Sequence, residues 1–181
     1  FKEEIKLDAQ KARTVVGYLE GIDLMNTDLD SKGRAFETFM GSFFRGDFGQ
    51  YFTPRKIVRF VVDCLPIRNT SKVMDTSCGS GFLLQALDKV RGEARRFYRV
   101  EPGREEPRRC FDRWHDFAQY NLYGIEINEQ IARTAKMNMI IHDDGHTNVV
   151  AADGLLSPEM LRNRTDNRGF EEESFDFIIT N

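Results

Sequence analysis

The sequence predicts an α/β fold: a doubly wound, mostly parallel sheet with a helical region in front of it. Three observations carry this. Asp75-Thr76-Ser77-Cys78-Gly79-Ser80-Gly81 follows a short apolar run, Val73-Met74, and precedes a helical apolar run, Phe82-Leu83-Leu84-Gln85-Ala86-Leu87. A strand that ends in an acid, turns through glycines and opens into a helix builds a nucleotide-sized pocket at the carboxyl end of the sheet. Apolar strand runs then alternate with helical runs along the rest of the chain, as parallel sheets require. Finally, acids recur at the ends of successive strands: Asp75, Glu126 and Asp153.

The elements follow in order. Ile5, Ala9, Ala12, Val16 and Leu19 recur at helical spacing, and Phe36, Phe39, Met40 and Phe43 mark one face of a helix over 34–44. These helices are expected to pack on the sheet domain or on a partner subunit. Thr53-Pro54 reads as a helix start, Thr as N-cap and Pro at the first helical position. Ile57, Val58, Val61, Val62 and Leu65 form the stripe expected to be buried, and Pro66 closes the helix. Strands are expected over 71–76, 121–127, 147–151 and 175–180. Helices are expected over 82–90 and 129–142, the second capped by Asn128. The chain thus divides into a helical region, 1–48, and a sheet domain, 49–181.

Residues 91–119 read as a charged surface insertion and a poor source of core. Eight arginines there are nearly balanced by acids, which favours a solvated loop over a nucleic-acid face. The chain of 181 residues carries a net charge of −3, unlike a stand-alone DNA-binding module. Three cysteines with no CxxC pair read as reduced cytoplasmic thiols. No apolar run approaches a membrane span, and Phe1-Lys2-Glu3-Glu4-Ile5 is not a signal peptide. The chain lacks an initiator Met and stops at Asn181 directly after an apolar run. It is therefore expected to be part of something longer. His142 and His146 stand four apart, but Gly145 is expected to end the helix between them, so no metal site is expected.

The chemistry is that of a nucleoside-type cofactor. An acid ending the second strand, Glu126, can accept both ribose hydroxyl protons. An acid past the third, Asp153, can accept a proton from an adenine amino group, and Gly154 completes its turn. Leu84 stands where GxGxxG would place its third glycine, so the loop is not the nicotinamide type, and no P-loop is present.

Gly49-Gln50-Tyr51-Phe52-Thr53-Pro54-Arg55 matches a G-Q-[FY]-F-T-P-R segment. Asp75 to Gly81 matches D-P-x-C-G-S-G, with Thr76 in place of Pro and Phe82 where Gly or Thr is common. Gly124-Ile125-Glu126 matches a ribose-binding strand end, and Ala135-Lys136-Met137-Asn138-Met139 with Ile141-His142 resembles the helix that follows it. Over about 33–181 the chain resembles the modification subunits of type I restriction–modification systems, which are adenine-N6 DNA methyltransferases. The resemblance implies a Rossmann-like S-adenosylmethionine (SAM) methyltransferase domain, incomplete at its C-terminus.

It further implies that Gln50, Tyr51, Phe52, Thr53, Pro54 and Arg55 fold over the methionine end of SAM, with Thr53 on the carboxylate. Asp75, Ser77, Cys78, Gly79, Ser80 and Gly81 would pass under it. Glu126 and Ile127 would hold the ribose, and Asp153 and Gly154 the adenine. The family's N-P-P-[FY] motif follows the fourth strand, so Asn181 would be its first, catalytic residue. An exocyclic amine is a poor nucleophile; the Asn oxygen and a Pro carbonyl would accept its hydrogens and turn its lone pair toward the methyl group. The target adenine would be flipped out of duplex DNA. A specificity subunit, and a restriction subunit with it, would be the protein partners. The residues alone leave other readings open: a non-catalytic SAM-binding or assembly subunit, an RNA or protein-glutamine methyltransferase, or a nicotinamide enzyme.

Overall fold

The structure, a computed structural model, describes residues 8–22, 38, 53–79, 81–142, 148–165 and 167–181. The predicted helix over 34–44, apart from residue 38, the Gln50-Tyr51-Phe52 segment, Ser80 and His146 lie outside these residues. Helix α1 covers Ala9–Leu19, capped by the Asp8 carboxylate, which accepts the N–H groups of Gln10 and Lys11. None of its residues is buried; Val16 and Leu19 face solvent rather than the sheet.

Helix α2 is Arg55–Cys64. The predicted cap needs correction: Pro54, not Thr53, holds the N-cap position, with extended ψ of 131° and its carbonyl accepting from Ile57 and Val58. Val58 and Val62 are buried as expected, but Ile57 is 52% exposed. The helix rests along one narrow line, and Ile57, a step of ~100° from Val58, falls outside it. Lys89 Nζ donates to the carbonyls of Val62 and Leu65 and neutralises the end of the helix.

Among the described residues, four strands form one sheet: β1 (Val73–Asp75), β2 (Leu122–Glu126), β3 (Val149–Ala151) and β4 (Phe177–Ile178). Their order is β3-β2-β1-β4 and every pairing is parallel. Each lies within the span the sequence predicts and is shorter than that span. The register sets Val73 beside Leu122 and Phe177, so all four carboxyl ends open on one edge.

The largest correction concerns 91–119. Helix α3 runs Phe82–Phe97, well past the predicted end, and α4 covers Arg108–Asn121. Cys110, Trp114, Phe117 and Ala118 are buried. They follow helical spacing, so α4 is an amphipathic core helix whose arginines lie outward and along its flanks. Arg91 sits 4.0 Å from the Trp114 ring centroid, and Trp114 Nε1 donates to Glu106. Each such buried aromatic contributes about 2–3 kcal/mol.

Helix α5 (Glu129–Ile141) begins at the predicted cap: Asn128 Oδ1 accepts the N–H groups of Gln130 and Ile131. A short helix, α6 (Pro158–Arg162), was not anticipated; Ser157 caps it. One face of the sheet packs residues of α2, α3, α4 and α5 against Val73, Leu122, Val149 and Ile179. The other packs Tyr123, Ile125 and Val150 under Leu161 of α6 and Phe170. β2 is consequently buried on both faces, as a central parallel strand should be.

Candidate active site

Moving outward from β1, the chain reaches β2 on one side and β4 on the other. This reversal is the topological switch point, where the loops leaving the strands part and open a crevice at the carboxyl edge. Asp75, Glu126, Asp153 and Asn181 all belong to loops or strand ends at that edge.

Asp75 closes β1 and is 1% exposed. Its Oδ1 accepts the Ser77 N–H at 2.9 Å, while Oδ2 is buried without a well-formed hydrogen bond. Burial pushes this carboxyl up to about 7; the Ser77 N–H and the Thr180 hydroxyl oppose the shift, and the Glu126 charge adds to it. Cys78 turns into the core and donates its N–H to the Ile125 carbonyl at 2.8 Å. Burial raises its thiol well above the usual range, so this is a packing residue and no nucleophile. Gly79 follows with φ of +45°, a left-handed conformation suited to glycine.

Glu126 holds the loop in place. Oε2 accepts the Gly79 N–H at 3.1 Å and Oε1 accepts the Asn128 N–H at 2.9 Å. Each oxygen keeps a second lone pair for a ligand hydroxyl. Asp153 is exposed and turns its Oδ1 to the Leu155 N–H at 2.9 Å. Two apolar side chains stand out beside these acids, Ile127 at 72% and Leu155 at 94% exposure.

The fourth loop is tied to the first. Ile179 N–H donates to the Met74 carbonyl at 2.9 Å, and the Thr76 hydroxyl bonds the Thr180 hydroxyl at 3.2 Å. Asn181 then reaches across to α2: its Nδ2 donates to Thr53 Oγ1 at 2.9 Å. Two residues of distant predicted motifs therefore touch, and Arg55 begins the helix beside them. Thr76 and Thr180 were not singled out as site residues. Thr76 was noted only as a substitution for Pro, and the hydroxyl it brings is what reaches β4.

A sequence model of the N-6 DNA methylase family matches residues 27–181. The chain belongs to the N-6 DNA methylase family. Among curated relatives of this family member, the type II restriction enzyme and methyltransferase RM.BcgI of Heyndrickxia coagulans is 30% identical over 141 residues, 76% of this chain and 20% of that protein. The type I restriction enzyme MjaVII methylase subunit of Methanocaldococcus jannaschii is 30% identical over 149 residues, 80% of this chain and 22% of its own length. The chain thus spans about a fifth of these relatives. The crystal structure of a protein assigned as a type I restriction enzyme modification subunit from Vibrio vulnificus YJ016 superposes with a TM-score of 0.62 at 23% identity, over 93% of this chain and 31% of that one. That likeness concerns the fold: the family's sheet and its helices are those described above. No helix among the described residues is long and apolar enough to cross a membrane.

Proposed function

We propose that this chain is the cofactor-binding part of a SAM-dependent methyltransferase that modifies adenine N6 in DNA, as the modification subunit of a restriction–modification system. The observation that carries the reading is the meeting of Asn181 with Thr53 at the switch point, within the same carboxyl edge as Asp75 and Glu126.

The residues present fit SAM. A buried oxygen of the Asp75 carboxyl lacks a well-formed hydrogen bond, and Glu126 and Asp153 offer acceptors for ligand hydroxyl and amine protons. Gly79 brings backbone close without a Cβ. When bound, SAM supplies an electrophilic methyl group. Glu126 would hold its ribose, Asp153 its adenine, and the loop from Asp75 to Gly81 its methionine part. Asn181 Oδ1 would accept a hydrogen from the target amine and direct the nitrogen lone pair, a contribution of positioning and electrostatics. Duplex DNA with a flipped adenine is the substrate on this reading, a specificity subunit the partner that selects the sequence, and the cytoplasm the compartment.

Calorimetric titration with SAM, beside Glu126→Ala and an NAD control, tests it. Saturable SAM binding that weakens in the variant is the expected result. NAD binding in place of SAM overturns the reading.

A further inference from the structure

We propose that Thr53 is a positioning residue for Asn181: its hydroxyl accepts the side-chain amide N–H, and this contact leaves Oδ1 available as an acceptor. This rests on the methyltransferase reading above and adds a residue whose role there was expected to be a cofactor contact.

Several observations converge on it. Thr53 stands where an N-cap was expected, yet its hydroxyl makes no capping bond. Pro54 occupies the cap, and its carbonyl accepts the Ile57 and Val58 N–H groups. The hydroxyl instead accepts Asn181 Nδ2 at 2.9 Å. A primary amide presents a donor on one side and an acceptor on the other. With Nδ2 engaged by Thr53, Oδ1 is the side left for a substrate. An exocyclic amine needs an acceptor there; the opposite rotation would set N–H against N–H.

The two residues before Asn181 are tied to β1 and its loop. The preceding residue, Thr180, bonds the Thr76 hydroxyl at 3.2 Å, and Ile179 bonds the Met74 carbonyl at 2.9 Å. β1 thus brings Asn181 to this edge, and the Thr53 hydroxyl, just before α2, holds its amide there through Nδ2. Thr76 takes part in this arrangement through a hydroxyl that proline at that position could not offer.

The test uses the natural full-length protein with its partner subunits and compares wild type, Thr53→Val and Thr53→Ser. Three quantities are read: single-turnover methyl transfer to an adenine-containing duplex, SAM affinity by titration, and the Asn181 side-chain amide resonance in asparagine-labelled protein. Thr53→Val is expected to slow transfer by roughly a hundredfold, the cost of a misplaced reacting group. It should leave SAM affinity unchanged and move the Asn181 amide resonance. Thr53→Ser, which keeps the hydroxyl, should restore most of the rate and the resonance. A Thr53→Val enzyme that binds SAM weakly but transfers normally at saturation would overturn the proposal and make Thr53 a cofactor contact. An Asn181 resonance indifferent to Thr53→Val would also overturn it. Wild type that transfers no methyl, while its Asn181 resonance still responds to Thr53→Val, overturns the methyltransferase reading and the catalytic consequence with it, and leaves the contact established.

Discussion

Gly154 lies so close to Thr76 that a Cβ on it would meet the Thr76 carbonyl oxygen at 2.4 Å. The loops after β1 and β3 therefore touch backbone to backbone. Gly154→Ala must push them apart, because a carbonyl in a tight turn cannot swing away as a side chain would. Overpacking of this kind costs about 1–3 kcal/mol. At roughly 2–4 °C per kcal/mol for a domain of this size, calorimetry should find Tm lowered by several degrees. An unchanged Tm would mean that the two loops are not in contact.

Asp75 makes stability depend on pH. Its carboxyl titrates near 7 in the folded protein against 3.8 ordinarily, chiefly because it is buried. Between those values the folded state keeps a proton that the unfolded chain has released. The stabilisation is fully present below the unfolded value and is lost as pH rises through about 7. Wild type should be less stable at pH 8 than at pH 5, with this one group contributing about 2–3 kcal/mol, because only the roughly two pH units between 5 and 7 of its shift fall in that window. Asp75→Asn should flatten the difference. Urea unfolding of both proteins at the two pH values decides it; equal differences would show that Asp75 ionises normally.

Glu126 satisfies two backbone donors at once, Gly79 N–H and Asn128 N–H. Glu126→Ala leaves both without their acceptor, at about 1–3 kcal/mol for each that stays buried. Glu126→Gln keeps one acceptor oxygen and should fall between. SAM affinity should drop by roughly tenfold or more in the alanine variant, a loss of about 1.4 kcal/mol. Titration beside thermal unfolding separates a lost ligand contact from a loosened loop. Affinity and Tm both at wild-type level would remove Glu126 from the site.

Trp114 distinguishes a core helix from a surface insertion. It is 1% exposed, between the Arg91 guanidinium and the Glu106 carboxylate. Trp114→Ala should cost about 3–5 kcal/mol by urea unfolding. A surface residue would cost at most about 0.5 kcal/mol.

The contrast between α4 and the glycine loop shows what the residues alone could convey. The loop from Asp75 to Gly81 is defined by local turn chemistry, and Asn128 caps α5 through its own neighbours, so both were legible. The signal for α4 was also present, as Cys110, Trp114, Phe117 and Ala118 at helical spacing. The surrounding arginines obscured it, because composition says nothing of which way a long side chain leans. Ile57 was misplaced for a related reason: periodicity marks a face but not its width. The hydrogen bonds from Thr76 to Thr180 and from Thr53 to Asn181 had no local signature. They join residues 104 and 128 positions apart and exist only once the sheet has set its register. Asp75, Glu126, Asp153 and Asn181 were legible as residues of one sheet edge, whereas the partner each takes in the folded protein was not.

The separation between Thr53 and Asn181 also fixes an order of events during folding. All four strands lie between them, and closing so long a loop costs entropy that only an assembled sheet can offset. Because chains are made and fold from the N-terminus, the glycine loop and its Glu126 latch can form while β4 is still on the ribosome. The amide follows the four strands. On the methyltransferase reading, a chain whose fourth strand has not yet docked would hold a cofactor before it could position an amine.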